Sequence, residues 1–134
     1  MKSRYEVITI SPYKDGRGEL KKVFTMDMLG ADESVEEIYV LYTKRNSVRG
    51  NHYHKKNVEF FSVIKGTATI ALRDLETDST DVFRASSKDN IVIKVPENTA
   101  HCFRNDEEEE LVILAAATRQ YEPGDTDIYP LRLL

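Results

Sequence analysis

Two of the three histidines in this chain lie in one short stretch, Arg49-Gly-Asn-His52-Tyr-His54. Residues two apart in an extended strand point to the same face, so His52 and His54 can present two imidazoles to one point in space. Glu59 follows after four residues, which is enough to turn the chain and place a carboxylate at the start of the next strand. The types and spacing of these side chains are those of a metal chelate.

The third histidine, His101, lies far away, between Pro96 and Asn105. A single histidine on a strand is more often packed or solvated than a ligand, so each of the three carries little weight alone. Together they complete the patterns His-x-His-x4-Glu-x6-Gly, which ends at Gly66, and Pro-x-Asn-x2-His-x3-Asn. This pair of patterns resembles the two sequence motifs of the cupin superfamily.

The resemblance implies an all-β fold, the cupin double-stranded β-helix or jelly-roll barrel. It also implies one divalent metal inside the barrel, with four ligands: His52, His54, Glu59 and His101. The chain departs from the family at Asn90 and Asn98, where glycine is usual. Both departures are mild, because asparagine is the non-glycine residue that best tolerates left-handed turn conformations.

The ligand types narrow the choice of metal. Three imidazoles and one carboxylate suit zinc first, and iron, manganese or nickel also fit, whereas calcium and magnesium prefer sites made only of oxygen atoms. Glu59 supports a cation for a second reason, since a buried carboxylate without a cation or a donor would cost several kcal/mol.

Composition excludes several other classes of protein. At 134 residues, 40% hydrophobic and 31% charged, the chain is expected to form a single cupin domain over residues 1–134. The net charge of −4 gives no reason to expect nucleic acid or an anionic membrane as a partner. A cytoplasmic location is expected, because no apolar run approaches the ~20 residues of a membrane span, no signal peptide is evident and Cys102 is the only cysteine.

The hydrophobic pattern predicts many short strands and no helix of ordinary length, which is typical of a sandwich or barrel. The predicted strands cover residues 5–10, 19–25, 37–42, 47–54, 58–64, 67–72, 82–84, 91–95, 101–104 and 111–117. The strands at 58–64 and 67–72 are predicted to form a hairpin at Lys65-Gly66, and the acidic run 105–110 to be a solvated hairpin loop. Residues 26–34 are predicted to form an irregular connection or a single helical turn, and the polar tail 121–130 to lie across the barrel.

The stretch Arg49-Gly-Asn-His-Tyr-His is similar, beyond the superfamily, to signatures of cupins that act on nucleotide-linked 4-keto-6-deoxy sugars. The related groups are dTDP-4-dehydrorhamnose 3,5-epimerases, sugar 3,4-ketoisomerases and the C-terminal cupin domain of capsular-polysaccharide reductases. The last group is the most similar, because it combines this stretch with the full metal set and with a tail like Asp125-Thr-Asp-Ile-Tyr129. The resemblance also implies a homodimer.

These relatives imply a nucleotide-sugar substrate and roles for individual residues. Arg49 is expected to hold the diphosphate, because a guanidinium group matches phosphate oxygens, although the spacing fits a surface arginine equally well. Arg17 and Lys55 can serve the same purpose. His52 and His54 are the implied proton shuttles. If all the histidines bind metal, the base is Glu59 acting off the metal, a hydroxide held by the metal, or a tyrosine such as Tyr42.

The function predicted from these features is epimerisation or isomerisation of a nucleotide-linked 4-keto-6-deoxy sugar in polysaccharide biosynthesis, through an enolate. Two alternatives stay open. One is a cupin that binds a metal and a small ligand without turning anything over, since a fold and a type of site do not fix a function. The other is a metal-dependent dioxygenase, which would need iron with open coordination positions.

Overall fold

A computed structural model describes residues 4–134, which form twelve β-strands and one short 3-10 helix. The helix is Met26–Met28. The strands are β1 Glu6–Thr9, β2 Tyr13–Asp15, β3 Gly18–Leu20, β4 Glu37–Thr43, β5 Val48–Tyr53, β6 Glu59–Lys65, β7 Thr67–Asp74, β8 Ser79–Ser86, β9 Ile91–Val95, β10 Thr99–Arg104, β11 Leu111–Ala117 and β12 Tyr129–Pro130. No helix among the described residues is long and apolar enough to cross a membrane.

Ten of the strands form two antiparallel sheets of five. The first sheet has the order β1-β9-β6-β11-β4 and the second the order β12-β5-β10-β7-β8, while β2 and β3 pair only with each other. Apart from β2–β3 and β7–β8, consecutive strands of the described chain lie in different sheets. This interleaving is that of a jelly roll, so the predicted all-β barrel is confirmed.

The main core lies between the two sheets. Period-2 alternation turns one face of each strand inward, so Phe61 and Ile113 of the first sheet meet Ile70 and Phe103 of the second. Each is at most 2% exposed. Burying one such side chain stabilises the fold by about 1.5–3 kcal/mol.

A second apolar cluster covers the outer face of the first sheet. Phe60 and Ala116 point outward there, and the segment around the 3-10 helix packs over them through Val23 and Phe24. The predicted strand 19–25 is therefore wrong beyond Leu20, because packing against this face replaces strand pairing for residues 21–25. The prediction of a single helical turn in the segment that follows is confirmed.

The predicted hairpin at Lys65-Gly66 is also wrong. β6 belongs to the first sheet and β7 to the second, so the chain changes sheets at Gly66. Gly66 has a φ of +81°, and a Cβ atom there would lie 2.9 Å from the carbonyl oxygen of Glu110. The glycine is thus needed for the crossing and not for a tight turn.

The acidic run 105–110 likewise connects two sheets and is not a hairpin loop, because β10 and β11 do not pair. Glu108, Glu109 and Glu110 are exposed, as predicted for a solvated segment. Asn105 is fully buried at the start of the run, and its amide donates to the carbonyl oxygens of Thr43 and Glu109 at 2.9 Å each.

Two asparagines stand where the cupin motifs usually have glycine, and both adopt the left-handed conformation. Asn90 has a φ of 53° and Asn98 a φ of 57°. The prediction that asparagine can replace glycine at these turns is confirmed. The end of the tail extends the second sheet at its edge, where β12 pairs with β5 through Tyr129↔Tyr53 and Pro130↔His52.

Candidate active site

Four side chains from three regions of the chain converge inside the barrel. His52 lies on β5, His54 follows the end of that strand, Glu59 begins β6 and His101 lies on β10. One ligand atom from each of them lies within 4.8 Å of those of the other three. His54, Glu59 and His101 are buried, whereas His52 is only half-buried. The four ligands predicted from the sequence therefore form one cluster.

Gly50 determines how the histidine-bearing strands approach each other. The register between β5 and β10 shifts between His101 and Cys102, opposite Gly50. Gly50 has a φ of +95°, and a Cβ atom there would lie 2.6 Å from the carbonyl oxygen of His101. Only glycine fits this close approach of two backbones, which explains the glycine that follows Arg49 in the motif.

The closest contact in the cluster joins His54 and Glu59. Nε2 of His54 lies 2.6 Å from Oε1 of Glu59, and Nε2 of His101 lies 3.6 Å from the same oxygen. Nε2 of His54 and Oε1 of Glu59 are buried and have no correctly aligned hydrogen-bond partner. Buried polar atoms without partners are costly, so this arrangement is suited to a cation that both the nitrogen and the oxygen would ligate.

The pKa values of Glu59 and His101 favour metal ligation at neutral pH. Burial alone would raise the pKa of Glu59, but His54, His101 and the hydroxyl of Tyr39 outweigh it and lower that pKa to about 2. Burial, together with the neighbouring imidazoles, lowers the pKa of His101 to about 4 against the attraction of Glu59. Glu59 is thus an anion and His101 a neutral imidazole, the forms that bind metals.

The two histidines of the His-x-His pair differ. Burial, with a smaller contribution from His54, lowers the pKa of His52, so its imidazole is neutral at pH 7 and able to accept a proton. Burial would also lower the pKa of His54, but Glu59 and the backbone of Asp127 outweigh it and raise that pKa. Nδ1 of His54 lies 2.7 Å from the carbonyl oxygen of Asp127.

Tyr39, and not Tyr42, which the sequence analysis named, is the tyrosine that contacts the cluster. Side chains alternate along β4, so Tyr39 points into the barrel and its hydroxyl donates to Oε2 of Glu59. Tyr42 has the opposite parity and is 56% exposed. Burial and the negative charge of Glu59 raise the pKa of Tyr39, which therefore stays a neutral phenol.

The cluster lines a cavity of about 490 Å³. Apolar walls are provided by Phe61, Phe103 and Leu41, and Arg49 lines the same space. The guanidinium group of Arg49 donates to the carbonyl oxygen of Tyr42 from Nε at 3.2 Å and from Nη2 at 3.0 Å. Arg49 is otherwise exposed, so further N–H groups are available to an anionic ligand.

The other two predicted substrate-binding residues do not line this cavity. Arg17 forms an ion pair with Asp15 on the β2–β3 hairpin and is largely exposed. Lys55 is exposed and places its Nζ atom 4.3 Å from the ring centroid of Tyr129. The structure thus brings Arg49 to the cluster and leaves Arg17 and Lys55 outside it.

The tail contributes cavity residues that the sequence analysis did not select. Arg119, Asp125 and Asp127 all line the cavity. Nη2 of Arg119 binds Oδ2 of Asp125 at 2.8 Å. The sequence signal was the match of residues 125–129 to a tail motif, and the polar tail was predicted only to lie across the barrel.

Residues 13–129 match the polysaccharide biosynthesis C-terminal domain family. The chain belongs to this family. The spore coat polysaccharide biosynthesis protein SpsL of Bacillus subtilis is 26% identical over 131 residues, which cover 91% of this chain and 83% of that protein.

Solved structures with the same fold include a ketoisomerase, an epimerase and a capsular polysaccharide assembling protein. A 3,4-ketoisomerase from Helicobacter canadensis has a TM-score of 0.80 and 21% identity, covering 95% of this chain and 90% of that one. A dTDP-4-dehydrorhamnose 3,5-epimerase from Bacillus anthracis, with TDP bound, has a TM-score of 0.78 and 18% identity over 93% of this chain and 77% of that one. The capsular polysaccharide assembling protein CapF from Staphylococcus aureus has a TM-score of 0.69 and 21% identity, and the match covers 92% of this chain but 34% of CapF. The chain described here therefore has the cupin fold.

Proposed function

We propose that this protein is an epimerase or ketoisomerase acting on a nucleotide-linked 4-keto-6-deoxy sugar in polysaccharide biosynthesis. The observation that carries the proposal is the placement of the His52–His54–Glu59–His101 cluster in the same cavity as Arg49. The cluster can remove and return a proton, and the arginine can hold a diphosphate. The structural relatives named as epimerases and ketoisomerases support this chemistry.

We propose further that the cluster binds one divalent cation, zinc first among the candidates. The residues fit such an ion because Nε2 of His54 and Oε1 of Glu59 are buried, lie 2.6 Å apart and have no correctly aligned hydrogen-bond partner. His54, Glu59 and His101 would hold it, which leaves His52 free for proton transfer. When bound, the cation would polarise the ketone oxygen and so acidify the adjacent carbon.

Proton transfer is assigned to His52. Its side chain is the least buried of the four in the cluster. Its lowered pKa leaves the imidazole neutral and able to accept a proton at pH 7. His52 would take the proton from the carbon next to the ketone, and the proton would then return to the carbon skeleton of the sugar. The hydrogen bond from the hydroxyl of Tyr39 holds Glu59 in place. Glu59 is a poor base, because its pKa is about 2.

The nucleotide diphosphate is assigned to Arg49, the predicted substrate-binding residue that lines the cavity. A charged hydrogen bond between guanidinium and phosphate is among the stronger contacts a protein offers. A homodimer and a cytoplasmic location stay predictions.

Proton exchange with solvent tests the proposed reaction. The protein is incubated in heavy water with a dTDP- or UDP-4-keto-6-deoxyhexose, and the C3 and C5 proton signals are followed by NMR. Exchange at C3 alone indicates 3-epimerisation or 3,4-ketoisomerisation, and exchange at both carbons indicates 3,5-epimerisation. The variant His52→Asn should abolish exchange, whereas Arg17→Ala, changed outside the cavity, should retain it.

The competing function is a binding module without turnover. Binding of the nucleotide sugar by metal-loaded protein, with no exchange at either carbon, would establish that alternative and exclude the enolate reaction.

A further inference from the structure

Asp127 returns to the site from the chain's tail, and it contacts the stretch around His54 through both its side chain and its backbone. It is 5% exposed and has a φ of 52°. Its carboxylate accepts the backbone N–H groups of Lys55 at 2.9 Å and of Lys56 and Asn57 at 3.0 Å each. Its own carbonyl oxygen lies 2.7 Å from Nδ1 of His54.

The contact with Nδ1 determines which nitrogen of His54 can offer a lone pair to a metal. A carbonyl oxygen can only accept a hydrogen bond, so Nδ1 must carry a proton. In the neutral ring, Nε2 is then the unprotonated nitrogen, and it is the atom that lies 2.6 Å from Oε1 of Glu59. The backbone of Asp127 thereby selects the tautomer that a metal ligand requires.

The carboxylate holds that backbone in place. Three consecutive N–H groups after His54 all point to Asp127, so the turn that leads from His54 towards Glu59 is fixed by the same residue that orients the imidazole. Hydrogen bonds to an ionised carboxylate are stronger than neutral ones. A change at Asp127 is therefore transmitted to the His54–Glu59 pair without touching either residue.

We propose that Asp127 is a positioning residue for the metal-binding cluster, so that the tail of the chain helps to orient a metal ligand. This inference rests on the proposed metal-binding function. The role is separable from simple docking of the tail, because other contacts hold it: the rings of Tyr53 and Tyr129 stack at 5.3 Å, and the N–H of Leu131 donates to the carbonyl oxygen of Asn51 at 2.8 Å.

Zinc affinity is the first test, measured by competition with a chelator for the wild type, Asp127→Ala and Asp127→Asn. We expect both variants to bind zinc about 10–100-fold more weakly, the usual effect of losing an outer-shell partner. Asp78→Asn is the matched control: Asp78 also has a positive φ, of 57°, and its carboxylate binds Arg73 on an exposed turn. Unchanged affinity in both Asp127 variants would overturn the proposal.

The rate at which the ring N–H of His54 exchanges with water is a second measurement, and it would not change if Asp127 had only a general structural role. In 15N-labelled protein, the Nδ1–H signal should be protected from water exchange in the wild type, with or without zinc, and lost to fast exchange in Asp127→Ala. If the wild type binds no zinc, the metal proposal fails, but protection lost in the variant still supports the positioning role. Retained protection would contradict it. If Asp127→Ala does not fold, Asp127→Asn decides the matter by the same two measurements.

Discussion

His54 lies between two acceptors, Oε1 of Glu59 at 2.6 Å from its Nε2 and the carbonyl oxygen of Asp127 at 2.7 Å from its Nδ1. A neutral imidazole carries one proton and can satisfy only one of them as a donor. The ring must therefore take up a second proton or share its free lone pair with a cation. This choice links the metal content of the protein to its protonation.

The first prediction concerns that metal. Protein purified without a histidine tag should contain about one divalent ion per chain, since the residues that would hold it form one cluster. Removal by a chelator should lower the melting temperature, because an ion that binds only the folded state stabilises it. Elemental analysis and thermal unfolding check both points. If the purified protein contains no metal and its melting temperature is unchanged by chelator, the cluster is not a metal site.

The second prediction separates Arg49 from Arg17. Arg49→Ala should weaken binding of dTDP or UDP by about 1.5–3 kcal/mol, the range for hydrogen bonds to charged groups. Arg17→Ala should leave affinity unchanged, because Arg17 is paired with Asp15 outside the cavity. Calorimetry measures both. Equal affinities for the two variants would remove Arg49 from the binding site.

The third prediction uses two tyrosines on one strand. Tyr39→Phe removes the hydroxyl that donates to Glu59, and should destabilise the fold by about 1–3 kcal/mol and slow proton exchange on the sugar. Tyr42→Phe should do neither, because that side chain is exposed and outside the cavity. Denaturant unfolding and the heavy-water assay give the comparison. A slower reaction only in Tyr42→Phe would return the catalytic role to Tyr42.

The fourth prediction concerns Gly50. Gly50→Ala should destabilise the protein by more than about 1–3 kcal/mol, because the left-handed strain alone costs that much and the new Cβ atom would meet the carbonyl oxygen of His101. Zinc affinity should fall as well, since β10 carries His101 and His54 directly follows β5. Gly16→Ala is the control, with no atom within 4 Å of the added Cβ. Similar stability of the two variants would contradict the close approach at Gly50.

The fifth prediction is a pH dependence at Asp74. Burial would raise its pKa, but hydrogen bonds from Arg4 and from the N–H of Glu76 outweigh it and lower the pKa. Because the pKa is lowered in the folded state, the ionised carboxylate stabilises the protein at pH values above the unfolded pKa of about 3.9. This stabilisation is lost as the pH falls through the folded pKa. Asp74→Asn should therefore cost about 1–3 kcal/mol at pH 7 and less at pH 2. Urea unfolding at both pH values measures it, and a pH-independent cost would be the contrary result.

The cluster was predictable because its chemistry is local and rare. His52, His54 and Glu59 lie within one short stretch, and His101 was the only other histidine available. Tyr39 was missed because Tyr39 and Tyr42 differ in parity along β4, and composition does not say which parity points inward.

The fold was harder to derive from local signals. Gly66 was read as a hairpin glycine, but a positive φ serves a tight turn and a crossing between sheets equally well. The role of Asp127 depends on contacts with residues about 70 positions earlier in the chain. No property of the tail's own composition reveals such a partner.

The interleaving of strands between sheets also bears on how the chain folds. Apart from the hairpins β2–β3 and β7–β8, the described strands pair only with partners distant in sequence, and such topologies fold slowly. During that time β11, with the sequence Leu-Val-Ile-Leu-Ala-Ala-Ala, is an uncharged apolar segment of the kind that aggregates. The glutamates 107–110 immediately precede it. Charges that flank an apolar strand oppose its association with copies of itself, so these four glutamates are expected to protect β11 until β4 and β6 have paired with it.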